Sequence, residues 1–437
     1  MKILKKKEIR FYFLILTVSS LIFVIPTLLK GVNDSSTSLF FYAGIAIVLI
    51  FTRNIWMLLF YFLIIALNMY LLYVPCMYIG VTVTSVVYLF SISCMLLLLI
   101  KHRGFLRLKA DLFSKYLFFV FTTVFIFAFN GYINETGVFS IIWRLSPIYM
   151  SLAIVILIKD YKNLQDVFII SIVIAAIIFT GVAFFELFQG STFFYHLWTN
   201  EGERYRNGIM RVGSTLGDPN TLAMYIVPII FLLWTDRCKN ILSSRFCRVL
   251  SIMMICMIVL SSSRTSLLSL CLGIILFLWF SGKSKTQIYT LIIIFVTLIV
   301  SPFILPQIYN LDIASSGQRT MLVLLALKMW SNNMLFGIGL DNFMKLTYWM
   351  TMNEYVRQLV ELGVFAFLEY IAFYGIFIKE YFTYCKKNVI VTKKRDASLI
   401  FAGMIAFAFN SISMESYFHY IMWILPPLCF IFFDEKL

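Results

Sequence analysis

Apolar runs separated by short polar stretches fill most of the chain, at 11–29, 39–52, 55–74, 78–100, 116–131, 139–158, 167–187, 219–235, 249–263, 265–280, 287–304, 355–378, 398–413 and 417–433. Each is long enough, or nearly so, to cross a hydrocarbon layer as a helix. The pattern predicts an all-α, polytopic integral membrane protein of about 14 transmembrane helices, with residues 1–437 forming a single membrane domain. No internal repeat and no low-complexity linker divides it.

Orientation follows from where the basic residues fall. The N-terminal Met1–Arg10 is rich in lysine, and the apolar run after it is long and lacks a small-residue cleavage pattern. It is read as an uncleaved first helix with its N-terminus in the cytoplasm. The inside segments then become 101–115, 159–166, 236–248, 281–286, 379–397 and 434–437, with a short turn at Arg53. About 26 of the 36 Lys and Arg lie there, as the positive-inside rule requires. Those left outside are Lys30, Arg144, Arg204, Arg206, Arg211, Arg264, Arg319, Lys328, Lys345 and Arg357. Arginine dominates this outer set and lysine the inner one. Lysine suffices for topology, whereas planar, bidentate grip on an anion needs arginine.

Two outer loops are long, at 189–218 and 305–354. The first ends in a cationic, glycine-rich stretch containing Arg204, Arg206 and Arg211, followed by Gly217-Asp218-Pro219-Asn220, a turn feeding an apolar helix. Beside a bilayer, such a cluster suggests a lipid-linked phosphate ligand, the alternative being arginines that only solvate a loop. Its aromatic patch at Phe193, Phe194, Tyr195, His196 and Trp198 suits the headgroup level or stacking on sugar rings. In the second loop, 317–330 reads as a short helix with an apolar side, broken at Asn332-Asn333. Arg264 follows three serines at the tip of a tight helical hairpin, either snorkelling to the headgroups or binding substrate. Glu354, Arg357 and Glu361 are spaced to share one helix face.

Composition narrows the chemistry. With 61% hydrophobic and 13% charged residues the chain is too apolar for a water-soluble fold. The net charge of +15 is dispersed between apolar runs, which argues against nucleic acid as a partner. The scarcity of histidine, only His102, His196 and His419, argues against a multi-histidine metal site, and eight cysteines suggest no disulfide framework because the long outer loops hold none. Short cytosolic loops and the lack of a Gly-x-x-x-x-Gly-Lys-Ser/Thr loop argue against a transport ATPase.

Four patches resemble, in order, those of the O-antigen polymerase and O-antigen ligase superfamily of bacterial envelope glycosyltransferases. They are Arg211-Val212-Gly213-Ser214-Thr215 with Asp218-Pro219-Asn220, then Ser262-Ser263-Arg264-Thr265, then Arg319 with the downstream 336–343, and finally 353–363. One position departs from the pattern. Ligases that look like this carry a histidine just before the Asn of the fourth patch, where this chain has Met352, so the polymerase reading gains.

The resemblance implies an undecaprenyl-diphosphate-linked glycan as donor and a lipid-linked repeat unit as acceptor, at the periplasmic face of the inner membrane. It implies transfer of the growing glycan to the non-reducing end of the new unit, in lipopolysaccharide biosynthesis. Arg211 and Arg319 match the family's functional arginines. Fixed cations there would stabilise the departing diphosphate, with no cofactor or metal. Glu354, Glu361 and Asp218 are candidates for activating the acceptor hydroxyl, against helix-face pairing for the glutamates and turn capping for Asp218. Arg204, Arg206, Arg264, Arg357, Asp218 and Asn220 complete the expected substrate-binding set. Membrane lipids and a polysaccharide chain-length regulator are the other implied partners. The rival readings are an O-antigen ligase acting on lipid A-core and a flippase or transporter for lipid-linked sugars.

Overall fold

The computed structural model describes residues 6–30, 34–74, 82–101, 111–134, 141, 144–190, 205–206, 209–261, 263–281, 289, 313–348, 351, 353–387, 390–414 and 419–434. The apolar runs fold as helices α1 (Lys6–Lys30), α2 (Ser38–Thr52), α3 (Trp56–Leu67), α4 (Val83–Lys101), α5 (Leu112–Ile133), α6 (Ser146–Asp160) and α7 (Leu164–Gln189). A ribbon of β1 (Tyr205–Arg206) and β2 (Ile209–Met210) follows, paired antiparallel. The second half comprises α8 (Pro219–Trp234), α9 (Asp236–Ile241), α10 (Ser244–Leu260), α11 (Arg264–Phe280), α12 (Ile313–Asn332), α13 (Asn342–Thr347), α14 (Glu354–Arg357), α15 (Gly363–Lys387), α16 (Val391–Asn410) and α17 (Tyr420–Phe433).

Among the described residues, six helices are long and apolar enough to cross a membrane, α7 being the most enclosed, and four shorter apolar helices accompany them. The protein is a polytopic membrane protein. Apart from Tyr289, the apolar run expected at 287–304 lies outside the described residues, as does most of the loop from Gly190 to Arg204.

Burial divides the helices into an inner and an outer set. Helices α6, α7, α8 and α17 are buried on nearly every side, and α8 packs against α10, α11 and α16. Around them, α5 exposes Phe118, Phe121, Phe125 and Phe129 at three- and four-residue spacing, and α1 exposes Leu14, Val18, Leu21 and Ile25 in the same rhythm. Continuous apolar stripes of this length fit a lipid solvent, where exposing them costs nothing.

One difference from the sequence reading changes the geometry that follows. The single regular helix expected over 355–378 is instead interrupted. Residues Gln358–Leu362 form a π-helical turn, and Gly363 adopts φ 85 before α15 begins. The cause is close backbone approach. A Cβ at Gly363 would stand 2.1 Å from the carbonyl oxygen of Leu335. The widened turn frees the carbonyls of Val360 and Glu361, which accept from the amides of Ile338 (2.8 Å) and Gly339 (2.9 Å). The Phe336–Phe343 patch is therefore stitched to the start of the long helix by its backbone.

At one end of the bundle an ionic cluster joins α7, α9 and α16. Arg237 donates to Asp166 (2.9 Å) and Gln165 (2.8 Å), and Asp396 accepts from the amides of Asp236 and Arg237. The candidate site forms at the opposite end.

Candidate functional site

The stretch from Arg211 to Asp218 folds down into the bundle. Ser214, held at φ 55, gives its amide to Glu186 of α7 (2.8 Å) and its hydroxyl to the carbonyl of Phe179, while Thr215 donates to Asn68 (2.6 Å). Glu186 is fully buried, so this part of the loop is anchored by an intramembrane carboxylate. Asp218 then caps α8, accepting from the amide and hydroxyl of Thr221 at 2.6 and 2.9 Å, with Pro219 at the first helical position.

This anchoring fixes Arg211. Its Nε donates to the carbonyl of Ser261 (2.9 Å) at the hairpin tip between α10 and α11, and its terminal nitrogen to the amide oxygen of Asn220 (3.0 Å) on α8. The side chain is 9% exposed. Both of these acceptors are neutral, and the two bonds orient the guanidinium. Arg264, half-buried, opens α11 one turn away from that tip.

A second arginine is held differently. Arg357, at the end of α14, donates to Asp341 (2.9 Å) and from Nε to Glu361 (3.0 Å). Arg144, just before α6, pairs with the other oxygen of Asp341. Two cations thus face two carboxylates. Glu361 lies four residues after Arg357, on the face shared by i,i+4 positions, and the backbone stitch brings Asp341 to the same place. The Oε1 of Glu354 accepts from Gln358 (2.7 Å), and its amide donates to the carbonyl of Ser411 (2.9 Å).

The last two helices close this end. Asn410, at the end of α16, donates to Ser266 of α11 (2.9 Å), and its Oδ1 is buried without a hydrogen-bond partner among the described residues. His419 precedes α17 and meets the ring of Tyr225 of α8 edge-on at 5.8 Å, with the tyrosine hydroxyl 3.3 Å from Nδ1. Burial, followed by the charges of Arg357 and Arg144, pushes the imidazole down to about 4, so it is neutral at ordinary pH.

Arg319 stands exposed on α12, a helix that rests through Leu322 and Ala326 on Val360 and Phe343 in a small apolar cluster of its own. Helix α12 starts four residues before the segment expected from sequence and ends at the expected Asn332. Arg204, Met352, His196 and the side chain of Arg206 lie outside the described residues. The geometry therefore gathers Arg211, Asn220 and the α10–α11 tip in one group, and Arg357 and Glu361 in another. Asp218 is engaged in its helix cap.

Sequence reading did not single out Arg144, Asp341, Tyr225, His419, Asn410 or the buried Glu186 as site residues. Arg144 did stand in the outer arginine set and Asp341 in the third motif patch, while the others carried only their position toward the ends of apolar helices. It also missed Glu369 of α15, whose Oε1 accepts from Thr122 (2.9 Å) and Thr123 (2.6 Å) of α5. Among the described residues, no group of three or more His, Cys, Asp or Glu side chains is arranged to hold a metal ion.

Comparison with known proteins bears on the second, third and fourth patches, the first, at 211–220, lying outside the matched span. A family model described as O-antigen ligase matches residues 249–371, the span from α10 through the start of α15. This supports the resemblance to the O-antigen polymerase and ligase superfamily. No curated protein matches the chain.

Proposed function

Taking as premise that residues 249–371 are similar to the O-antigen ligase family, we propose that the protein polymerises undecaprenyl-diphosphate-linked O-antigen repeat units at the periplasmic face of the inner membrane. The growing glycan passes from its carrier to the non-reducing end of a new lipid-linked unit. The bond between the anomeric carbon and the diphosphate oxygen breaks, and a bond from that carbon to the acceptor hydroxyl oxygen forms. The hydroxyl proton is given up and undecaprenyl diphosphate leaves with the negative charge.

One observation carries this reading. Arg211 is a buried guanidinium oriented by a carbonyl and an amide, at the end of the bundle where the motif patches meet. A fixed cation of this kind needs no reorganisation as charge develops on the departing diphosphate. Arg264 at the same hairpin and Arg319 on the exposed face of α12 extend the clamp, with Arg204 and Arg206 at its approach. Asn220 sets the direction of Arg211, and Asp218 holds the helix that carries Asn220. Arg357, matched by Asp341 and Glu361, positions those carboxylates. Glu354, which accepts from the Gln358 amide, and Glu361, which accepts from Arg357, are the candidates to take the hydroxyl proton. No cofactor or metal enters this scheme.

The ligase reading has one specific support, the description of the matching family. Against it stands Met352, at the position where similar ligases carry histidine. Purified protein in liposomes with defined lipid-diphosphate repeat units separates the two. Polymerisation gives ladders of increasing length on the lipid carrier. Failure to extend the carrier-linked unit, combined with transfer of one unit to lipid A-core, would replace the polymerase with the ligase. A chain-length regulator added to the same liposomes would narrow the ladder.

A further inference from the structure

At the end of the bundle away from the candidate site, two thiols meet. Cys238 lies in α9 and Cys247 in α10, and the short turn between these helices brings one onto the other. Their sulfurs stand 3.9 Å apart. The backbone holds both positions. The amide of Cys238 donates to the hydroxyl of Thr235 (3.2 Å), the cap of α9, and the amide of Cys247 donates to the carbonyl of Ser243 (3.1 Å), the cap of α10. Rotation of the two side chains takes this contact toward the about 2.05 Å of a disulfide bond.

Burial sets the order of events. Both cysteines are buried, but residues 243–246, the turn immediately before Cys247, are exposed. Local opening of that turn admits a molecule as small as hydrogen peroxide. Cys247 is the nearer thiol, and it stands close to the N-terminus of α10, where the helix dipole favours a thiolate. The positive-inside pattern assigns 236–248 to the cytoplasm, so the reduced pair is the resting form. We propose that Cys238 and Cys247 are a redox pair that closes to an intramolecular disulfide on meeting a hydroperoxide. The Cys247 thiolate attacks the peroxide; an S–O bond forms, the O–O bond breaks, and the leaving oxygen departs as water or an alcohol. Cys238 then attacks the sulfenic sulfur; the S–S bond forms, the S–O bond breaks, and water leaves. Two thiols thereby give up two electrons and two protons, and one hydroperoxide is reduced. The bond ties α10 to α9, whose Asp236 and Arg237 already hold α7 and α16. The pair shares no residue with the glycan-transfer site and does not depend on that reading.

The test uses full-length protein purified under a reductant, returned to lipid nanodiscs and freed of the reductant. It is treated with hydrogen peroxide at a dose that oxidises glutathione in a parallel sample. The remaining thiols are then capped with N-ethylmaleimide in denaturant, and the protein is digested without reduction. Mass spectrometry should find the peptides of Cys238 and Cys247 joined, lighter by two hydrogens than the separate thiol peptides, with loss of the maleimide adduct at both positions. Dithiothreitol added before capping should restore both adducts. In C238S the same dose should leave Cys247 as a sulfenic acid that dimedone captures, whereas wild type should show little capture there. The pairing is overturned if both thiols stay maleimide-reactive, if they end as sulfinic or sulfonic acids with no linkage, or if either joins a different cysteine. Capture at Cys247 as strong in wild type as in C238S would also overturn it, since the second thiol would then be idle. Cells challenged with peroxide and quenched in acid before lysis should show the same linkage; its absence there, at a dose that oxidises their glutathione, defeats the proposal for the living membrane.

Discussion

Removing the guanidinium of Arg357 while keeping its bulk, in Arg357→Met, tests how the second motif group is held. The side chain is 10% exposed and that of its partner Glu361 only 4%, so both charges are shielded from water. Asp341, at 22%, retains Arg144 in the variant. The cost therefore falls mainly on Glu361, a desolvated carboxylate deprived of its cation. Breaking a buried pair in this way costs about 3–5 kcal/mol, whereas an exposed pair costs at most about 1. Equilibrium unfolding in mixed micelles, followed by tryptophan fluorescence, measures the loss. The double variant Arg357→Met/Glu361→Gln removes the stranded charge and should regain a large part of it, giving a strong coupling in the four-member cycle. The reasoning fails if Arg357→Met unfolds within about 1 kcal/mol of wild type, or if the added Glu361→Gln makes it less stable.

Four further outcomes follow from the geometry. Arg211→Ala should abolish long-chain polymer on silver-stained gels while the protein still inserts, and Arg211→Lys should restore only short ladders because the two-acceptor geometry is lost; full-length ladders from Arg211→Ala would remove it from the clamp. Arg319→Ala should also abolish the ladder, yet change stability by less than about 0.5 kcal/mol because the residue is exposed. The folded pKa of His419, about 4, lies below its ordinary 6.5, so the unfolded chain binds that proton more readily. Its contribution is complete above about 6.5 and declines as pH falls toward 4, so the Tm difference between wild type and H419Q should shrink on acidification; a difference independent of pH would contradict the assignment. Gly363→Ala, placing a Cβ 2.1 Å from the Leu335 carbonyl at φ 85, should lower expression of folded protein sharply, as judged by fluorescence-detected size exclusion.

Helices such as α8 and α11 were legible in the sequence because apolar length and a cap at Asp218 are local signals, and so was the likeness of residues 249–371 to the O-antigen ligase family. The π-turn at 358–362 was not. Its residues suit a regular helix, and the distortion comes from Gly363 meeting Leu335 and from the amides of Ile338 and Gly339 docking on freed carbonyls. Likewise, nothing near Arg144 announces Asp341, and the pairing of Tyr225 with His419 is set by how α8 and α17 pack. Buried acids such as Glu186 and Glu369 pass unseen for the same reason. An isolated carboxylate in an apolar run declares a need for partners but not which ones.

The bridge from Arg144 through Asp341 to Arg357 ties residues 249–371 to a part of the chain that lies before them. That segment is consequently not a cassette. Grafted into a relative whose equivalent of position 144 is uncharged, it would arrive with Asp341 short of one of its two counter-ions. Recombination within this lineage should therefore carry the two positions together, and chimaeras that separate them should need a compensating change at 341.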